Sequence, residues 1–272
     1  GTDDWNDAAN WSSNTVPDDT AYIYLNHNFV VGAYTVKIKN ADAVCGRLNI
    51  DPQGGAAIGL TLENSYDFTV KGNTTISTGA TLSATDNTNI ISIWGNWTNS
   101  GTYNHGNSTL QFNGPAGSYN INSGGIGAGK KFYNLTINGT GATYALSAAA
   151  DIDNNLTVSK GTLDLAGAAN EITVGGNWNI DLVGGGLFDP KNADVTFDGN
   201  NQNITNGPFY NLITSTGGTK SILSNISVTN DITIGNGTTL NIQENTLYAG
   251  RHWTNNGTFS SSGLGTVNFN GT

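Results

Sequence analysis

One cysteine, Cys45, occurs in 272 residues, so no intrachain disulfide can staple this fold. Lys and Arg together number only 10 against 20 Asp and Glu. So few cations cannot neutralise a track of phosphates, which argues against nucleic acid and against an anionic membrane surface. No apolar run approaches the ~20 residues a helix needs to cross a bilayer, so no membrane insertion is expected. Methionine is absent and the chain opens on Gly1. That predicts a processed product or a fragment from which any signal peptide has gone. Proline is scarce, at 5 residues, and charged residues make up only 11% of the chain. An ordinary cytosolic surface carries more charge than this.

What is abundant is glycine, at 37 residues, with Asn, Thr and Ser in most polar positions. Such composition can signal disorder. Here the apolar residues, 36% of the chain, recur in short alternating runs such as Leu156-Thr157-Val158, Ile172-Thr173-Val174 and Val195-Thr196-Phe197. A period of two buries one face of a strand and leaves the other in water. Gly, Asn and Asp between the runs supply turns. No dozen-residue stretch carries helical periodicity.

The runs belong to a long repeat. Gly95-Asn96-Trp97 returns as Gly176-Asn177-Trp178 and then as Arg251-His252-Trp253. Phe132-Tyr133-Asn134-Leu135 returns as Phe209-Tyr210-Asn211-Leu212, and Leu110-Gln111-Phe112-Asn113-Gly114 matches Val195–Gly199 and Val267–Gly271. The unit is about 77 residues, with insertions absorbed in turns. Four beats per unit give about 19 residues per beat, the length of one solenoid coil. Roughly 14 coils at ~4.8 Å would make a rod on the order of 65–70 Å long. Sandwiches and barrels announce themselves by two-residue hairpin turns, which are not evident. The expected fold is therefore all-β, a parallel β-helix or β-solenoid. Residues 1–50 form an N-terminal cap with the first strands, and 51–272 form the repetitive solenoid, in units 95–175, 176–250 and a partial 251–272. Trp5 and Trp11 are the expected cap residues, because a terminal coil exposes unpaired backbone.

The opening Trp5-Asn6-Asp7-Ala8-Ala9-Asn10-Trp11-Ser12 with Val16-Pro17 resembles the start of many large bacterial surface proteins. So do the Gly-Asn-Trp-Thr and Phe-Tyr-Asn-Leu-Thr-Ile motifs and the turn-strand Gly161-Thr162-Leu163-Asp164-Leu165. Those proteins are secreted, repetitive and adhesin-like, and are common in the Bacteroidetes. The resemblance spans nearly the whole chain. It implies a β-solenoid that is secreted, extracellular or at the cell surface, and it attaches no activity.

Sugar hydrolysis needs two carboxylates at a set separation, and a lyase needs acidic metal ligands with a base. Asp164, Asp181 and Asp198 lie about one beat apart, but each is at or near a turn where Asp bonds its own backbone. His27, His105 and His252 are scattered singletons, so neither a triad nor a zinc site is supported. No catalytic residue and no cofactor are expected. Asp3, Asp4 and Asp7 are weak calcium candidates, because solvated acids at a terminus match their spacing better than any calcium loop. Trp97, Trp178 and Trp253 take one equivalent position per unit and read as a core aromatic row. Trp94 lies outside that register and is the candidate for an exposed sugar contact. Asn-x-Ser/Thr occurs twelve times, and so Asn-rich a chain makes most of these by chance. The expected role is a structural filament or stalk module associating head to tail. An adhesin or carbohydrate-binding module that takes glycans is the alternative, with a polysaccharide-active β-helix enzyme behind both.

Overall fold

The computed structural model describes residues 2–28, 30–167 and 171–271. Among them the only helix is the single 3-10 turn Ala8–Asn10, and every strand pairing is parallel. No helix among the described residues is long and apolar enough to cross a membrane. The strands stack as a β-solenoid of about 11 turns. Each turn visits three faces in a fixed order. Tyr22–Leu25 opens face A, Tyr34–Ile38 face B and Ala43–Cys45 face C, and Arg47–Ile50 returns to face A.

Successive rungs confirm the order. On face A, Ile23, Leu48, Thr74, Trp97, Ile121 and Leu146 lie one above another. On face B, Val36, Leu60, Leu82 and Tyr103 do the same, and higher up Ile152, Val174, Phe197, Thr214, Ile234 and Asn255. On face C, Val44, Thr69, Ser92, Gln111, Thr136, Thr157 and Asn179 form the column. Paired rungs are separated by between 17 residues, as at Val195↔Leu212, and 26, as at Leu48↔Thr74. The expected 19 falls inside this range, but many coils are longer. The rod accordingly has about 11 turns rather than 14, and a length on the order of 50 Å at ~4.8 Å per rung.

The long repeat does not close on a whole number of coils. From Trp97 to Trp178 the chain advances eleven strand positions, and from Trp178 to Trp253 eleven more. Three strands make a coil, so one unit is three and two-thirds coils. Each copy therefore sits one face round from the copy before it. Trp97 pairs in the face A column, Trp178 in face C and Trp253 in face B.

The core runs the length of the rod as one cluster. Strands of three to five residues place every second side chain inside, as Phe68–Val70 and Ile58–Leu62 show. Burial of such side chains stabilises by ~25 cal/mol per Å² of apolar surface. The corners explain the recurring triplet. Asn73 Oδ1 accepts the Asn96 N–H at 2.9 Å, and Asn96 Oδ1 accepts the Asn120 N–H at 2.7 Å. Asn155 Oδ1 accepts from Asn177 and Asn177 Oδ1 from Asn203, both at 2.8 Å. Each Asn thus bonds the coil above it. The Gly before it is required by close approach: a Cβ on Gly95 would lie 2.5 Å from Asn73 Oδ1, and one on Gly176 2.5 Å from the Asn154 carbonyl carbon. The Trp after it is the first inward residue of its strand. Gly-Asn-Trp is therefore close approach, ladder step and core filler in order, on whichever face it falls.

One charged residue among the described ones is fully buried, Lys220, whose ammonium donates to the carbonyls of Gly199, Ser215 and Gly217. Burial holds its pKa below the ordinary lysine value. The three carbonyls belong to a turn and to the coil beneath, so the lysine closes a corner where strand pairing lapses.

Candidate functional site

The first coil is closed by its own N-terminal segment. Asp4 bridges to Lys37 in parallel register, and Trp5 N–H donates to Lys37 O at 2.7 Å. Residues 3–5 therefore add a face B rung outside Tyr34–Ile38. Trp5 is 0% exposed and sits edge-on to Trp11 and Phe68, at 4.8 and 5.1 Å. Trp11 Nε1 donates to Trp5 O at 2.7 Å. These two tryptophans plug the core as a cork.

The acidic residues of this segment face protein donors. Asp3 pairs with Lys37 at 3.2 Å and with Lys39, and those lysines, Lys39 first, hold its carboxyl below the usual range. Asp4 accepts from the Asn6 N–H and from Asn40. Asp7 accepts from the Thr2 hydroxyl and the Ala9 N–H, and both lower its pKa. A cation binding here would displace two lysines from Asp3. No cluster of three metal-ligating side chains occurs among the described residues.

Trp97 and Trp178 are fully buried, and Trp253 is partly buried. Lying on three faces, they do not stack on one another. Each instead organises a local aromatic group: Trp97 with Tyr103 and Phe132, Trp178 with Phe188, Phe197 and Phe209, and Trp253 with Phe259 and Phe269. Trp94 is half-buried, and the Lys71 ammonium stands 3.3 Å above its ring, covering one face. Cys45 is fully buried, which pushes its thiol well above the ordinary range.

The three spaced acids do not converge. Asp164 and Asp181 bond their own turns through the Ala166 and Gly184 N–H groups. Asp198 is pushed up by burial and by the Asp151 carboxylate. Sequence reasoning missed a different group on face B. Lys131 pairs with Asp151 at 2.8 Å and with Asp153 at 3.0 Å, and His105 Nε2 lies 3.2 Å from Asp153. His105 also stacks on Tyr133. Lys131 is 20 residues before Asp151, one coil below it, so the coil length was the signal needed. The lysine bridges both carboxylates and its pKa is raised by them, Asp151 first. It is held as a cation rather than freed as a base.

The far end differs. Thr266–Phe269 pairs with Thr246–Ala249 on one edge only among the described residues. Val267 and Phe269 stand above the inward Leu247 and Ala249, so they point along the core column. Yet Phe269 is 66% exposed and Leu264 89% exposed. Among the described residues the first face A strand, Tyr22–Leu25, pairs only with Arg47–Ile50. Its free edge borders a cleft of about 710 Å³ lined by Trp11, Val16, Pro17, Tyr22 and Tyr24 among others. Comparison with family models, with curated proteins and with solved structures returns no match.

Proposed function

We propose that this chain is a non-catalytic structural rod of a cell surface or an extracellular filament, extended by end-to-end stacking of solenoid coils. The observation that carries the reading is the single core column running through stacked parallel coils, tied coil to coil by the Asn corner ladders. The resemblance to secreted, adhesin-like Bacteroidetes proteins supports the location. The corner ladders and a single core column suit a load-bearing rod, because each coil contacts only its neighbours.

Sedimentation velocity and electron microscopy over a concentration series test this. Particles in multiples of one rod length, growing with concentration, are expected. Single rods at every concentration would overturn end-to-end assembly. Glycan binding is the second reading and rests on Trp94, one face of which Lys71 occupies. Glycan-array binding lost in Trp94→Ala would establish it, and a blank array would remove it.

A further inference from the structure

We propose that the outward side of face A binds a uronate-bearing saccharide, with the Tyr24 ring as platform, Arg47 for the carboxylate and Asn49 for a hydroxyl. This is independent of the rod reading and does not use Trp94.

Strand alternation sets the surface. Ile23 and Leu25 turn inward, so Tyr22 and Tyr24 turn outward, about 7 Å apart along the strand. They are 59% and 60% exposed. The next rung places Arg47 over Tyr22 and Asn49 over Tyr24, and the Tyr24 column continues through Thr75 and Thr98. A concavity of about 150 Å³ opens among Tyr22, Tyr24, Arg47, Asn49, Asn73 and Thr75. It spans three rungs on the flank of the rod, and it shares Tyr22, Ile23 and Tyr24 with the larger cleft.

Three groups there lack a partner that a ligand would bring. The first is an aromatic ring. The Arg47 guanidinium lies 4.7 Å from the Tyr22 centroid and leaves the Tyr24 ring open. An open ring takes the C–H face of a pyranose as it takes other apolar surface. The second is the guanidinium itself. Every ion pair among the described residues uses a lysine or a histidine, so Arg47 has no carboxylate. Its stem is set by the space over Gly72, where a Cβ would lie 3.1 Å from Arg47 Cγ. A placed guanidinium offers a fork of donors that matches a carboxylate. The third is Asn49, whose Oδ1 is buried without a hydrogen-bond partner. An acceptor left so is costly, and a ligand O–H removes the cost. Nothing bonded to that oxygen resists the amide turning about χ2 into the concavity it lines.

A uronate supplies all three partners at once: an apolar ring face, a carboxylate and hydroxyl donors. A neutral sugar leaves Arg47 unmet, and a small anion leaves Tyr24 unmet. No carboxylate lines the concavity to repel the anion.

The test titrates the whole chain with polygalacturonate, alginate and hyaluronan, each beside its methyl ester. Binding to at least one acid form is expected, about tenfold or more tighter than to its ester. Tyr24→Ala and Arg47→Gln should each weaken it by about tenfold or more, and Arg47→Gln should erase the preference for acid over ester. Tyr24→Phe should keep the binding, because the ring face is what is used. Both positions are exposed, so melting and circular dichroism should not change in any of the three. Trp94→Ala should leave the affinity unaltered. No binding to any of the three acids would overturn the proposal, as would binding that Tyr24→Ala and Arg47→Gln leave intact. Loss in Trp94→Ala alone would also overturn it, by moving the sugar to Trp94. Rod assembly, read by sedimentation without saccharide, stands or falls separately.

Discussion

Trp178 and Trp253 fill the same place in the same motif, one in mid-rod and one in the last coil. Trp178 is fully buried, ringed by three phenylalanines, and donates Nε1–H to Asn206 O at 3.0 Å. Trp253 touches two phenylalanines, one of them mostly exposed. Local sequence is nearly the same; the coils stacked above are not. A solenoid residue therefore takes its energy from neighbouring coils more than from its own strand.

The largest expected effect breaks that comparison directly. Trp178→Ala should lose about 3–5 kcal/mol, the range for deleting a buried aromatic. Trp253→Ala should lose about 1 kcal/mol or less, because little surface is removed from water. Paired urea titrations measure both, and equal losses would deny the role of stacking. Next is the cork at the other end. Trp11→Ala removes the hydrogen bond to Trp5 O and an edge-on ring contact, and should cost about 2 kcal/mol. The loss should appear as faster amide exchange at Tyr22–Leu25 and Tyr34–Ile38, with the mid-rod unchanged.

A smaller effect separates the ladder steps. Asn177→Ala strands the Asn203 N–H it serves, at about 1 kcal/mol. His252 occupies the same step in the last coil, where no coil above is described, so His252→Ala should be neutral within about 0.5 kcal/mol. The smallest is titration at the cap. The folded Asp3 carboxyl lies below its ordinary 3.8 because Lys39 and Lys37 pair with it. Its contribution is complete above that value and is lost as pH falls through the lowered folded one. Lys37, raised above 10.5 by Glu63 and Asp3, contributes fully below 10.5 and loses its share as pH rises through the folded value. Amide exchange at Lys37, whose N–H bonds Asp3 O at 2.7 Å, should quicken selectively at both extremes.

The parallel solenoid was legible because alternation and repeats are written in side chains. The coil length was not. Leu156 and Ile172 look like successive beats, yet Leu156 lies on face C and Ile172 on face B. Turns of varying length blur the spacing between true neighbours. That one missing quantity hid the rest. Without it the three tryptophans read as one row, Lys71 could not be set against Trp94, and Lys131 could not be set beneath Asp151. Trp5 and Trp11 stood out in the sequence because they are two large aromatics outside the repeat. Inward Lys220 was not, because its partners are backbone carbonyls with no sequence signature.

The stepping of the repeat around the faces is tested most directly by spin-label distances. Nitroxides at Thr98 and Leu187 sit on face A, four coils apart, about 19 Å along the axis at ~4.8 Å per rung. Asn179 follows Trp178 as Thr98 follows Trp97, and it lies lower on the rod but on face C. The Thr98–Asn179 distance should exceed the Thr98–Leu187 distance. A Thr98–Asn179 distance equal to or shorter than the other would place the copies on one face and contradict the account.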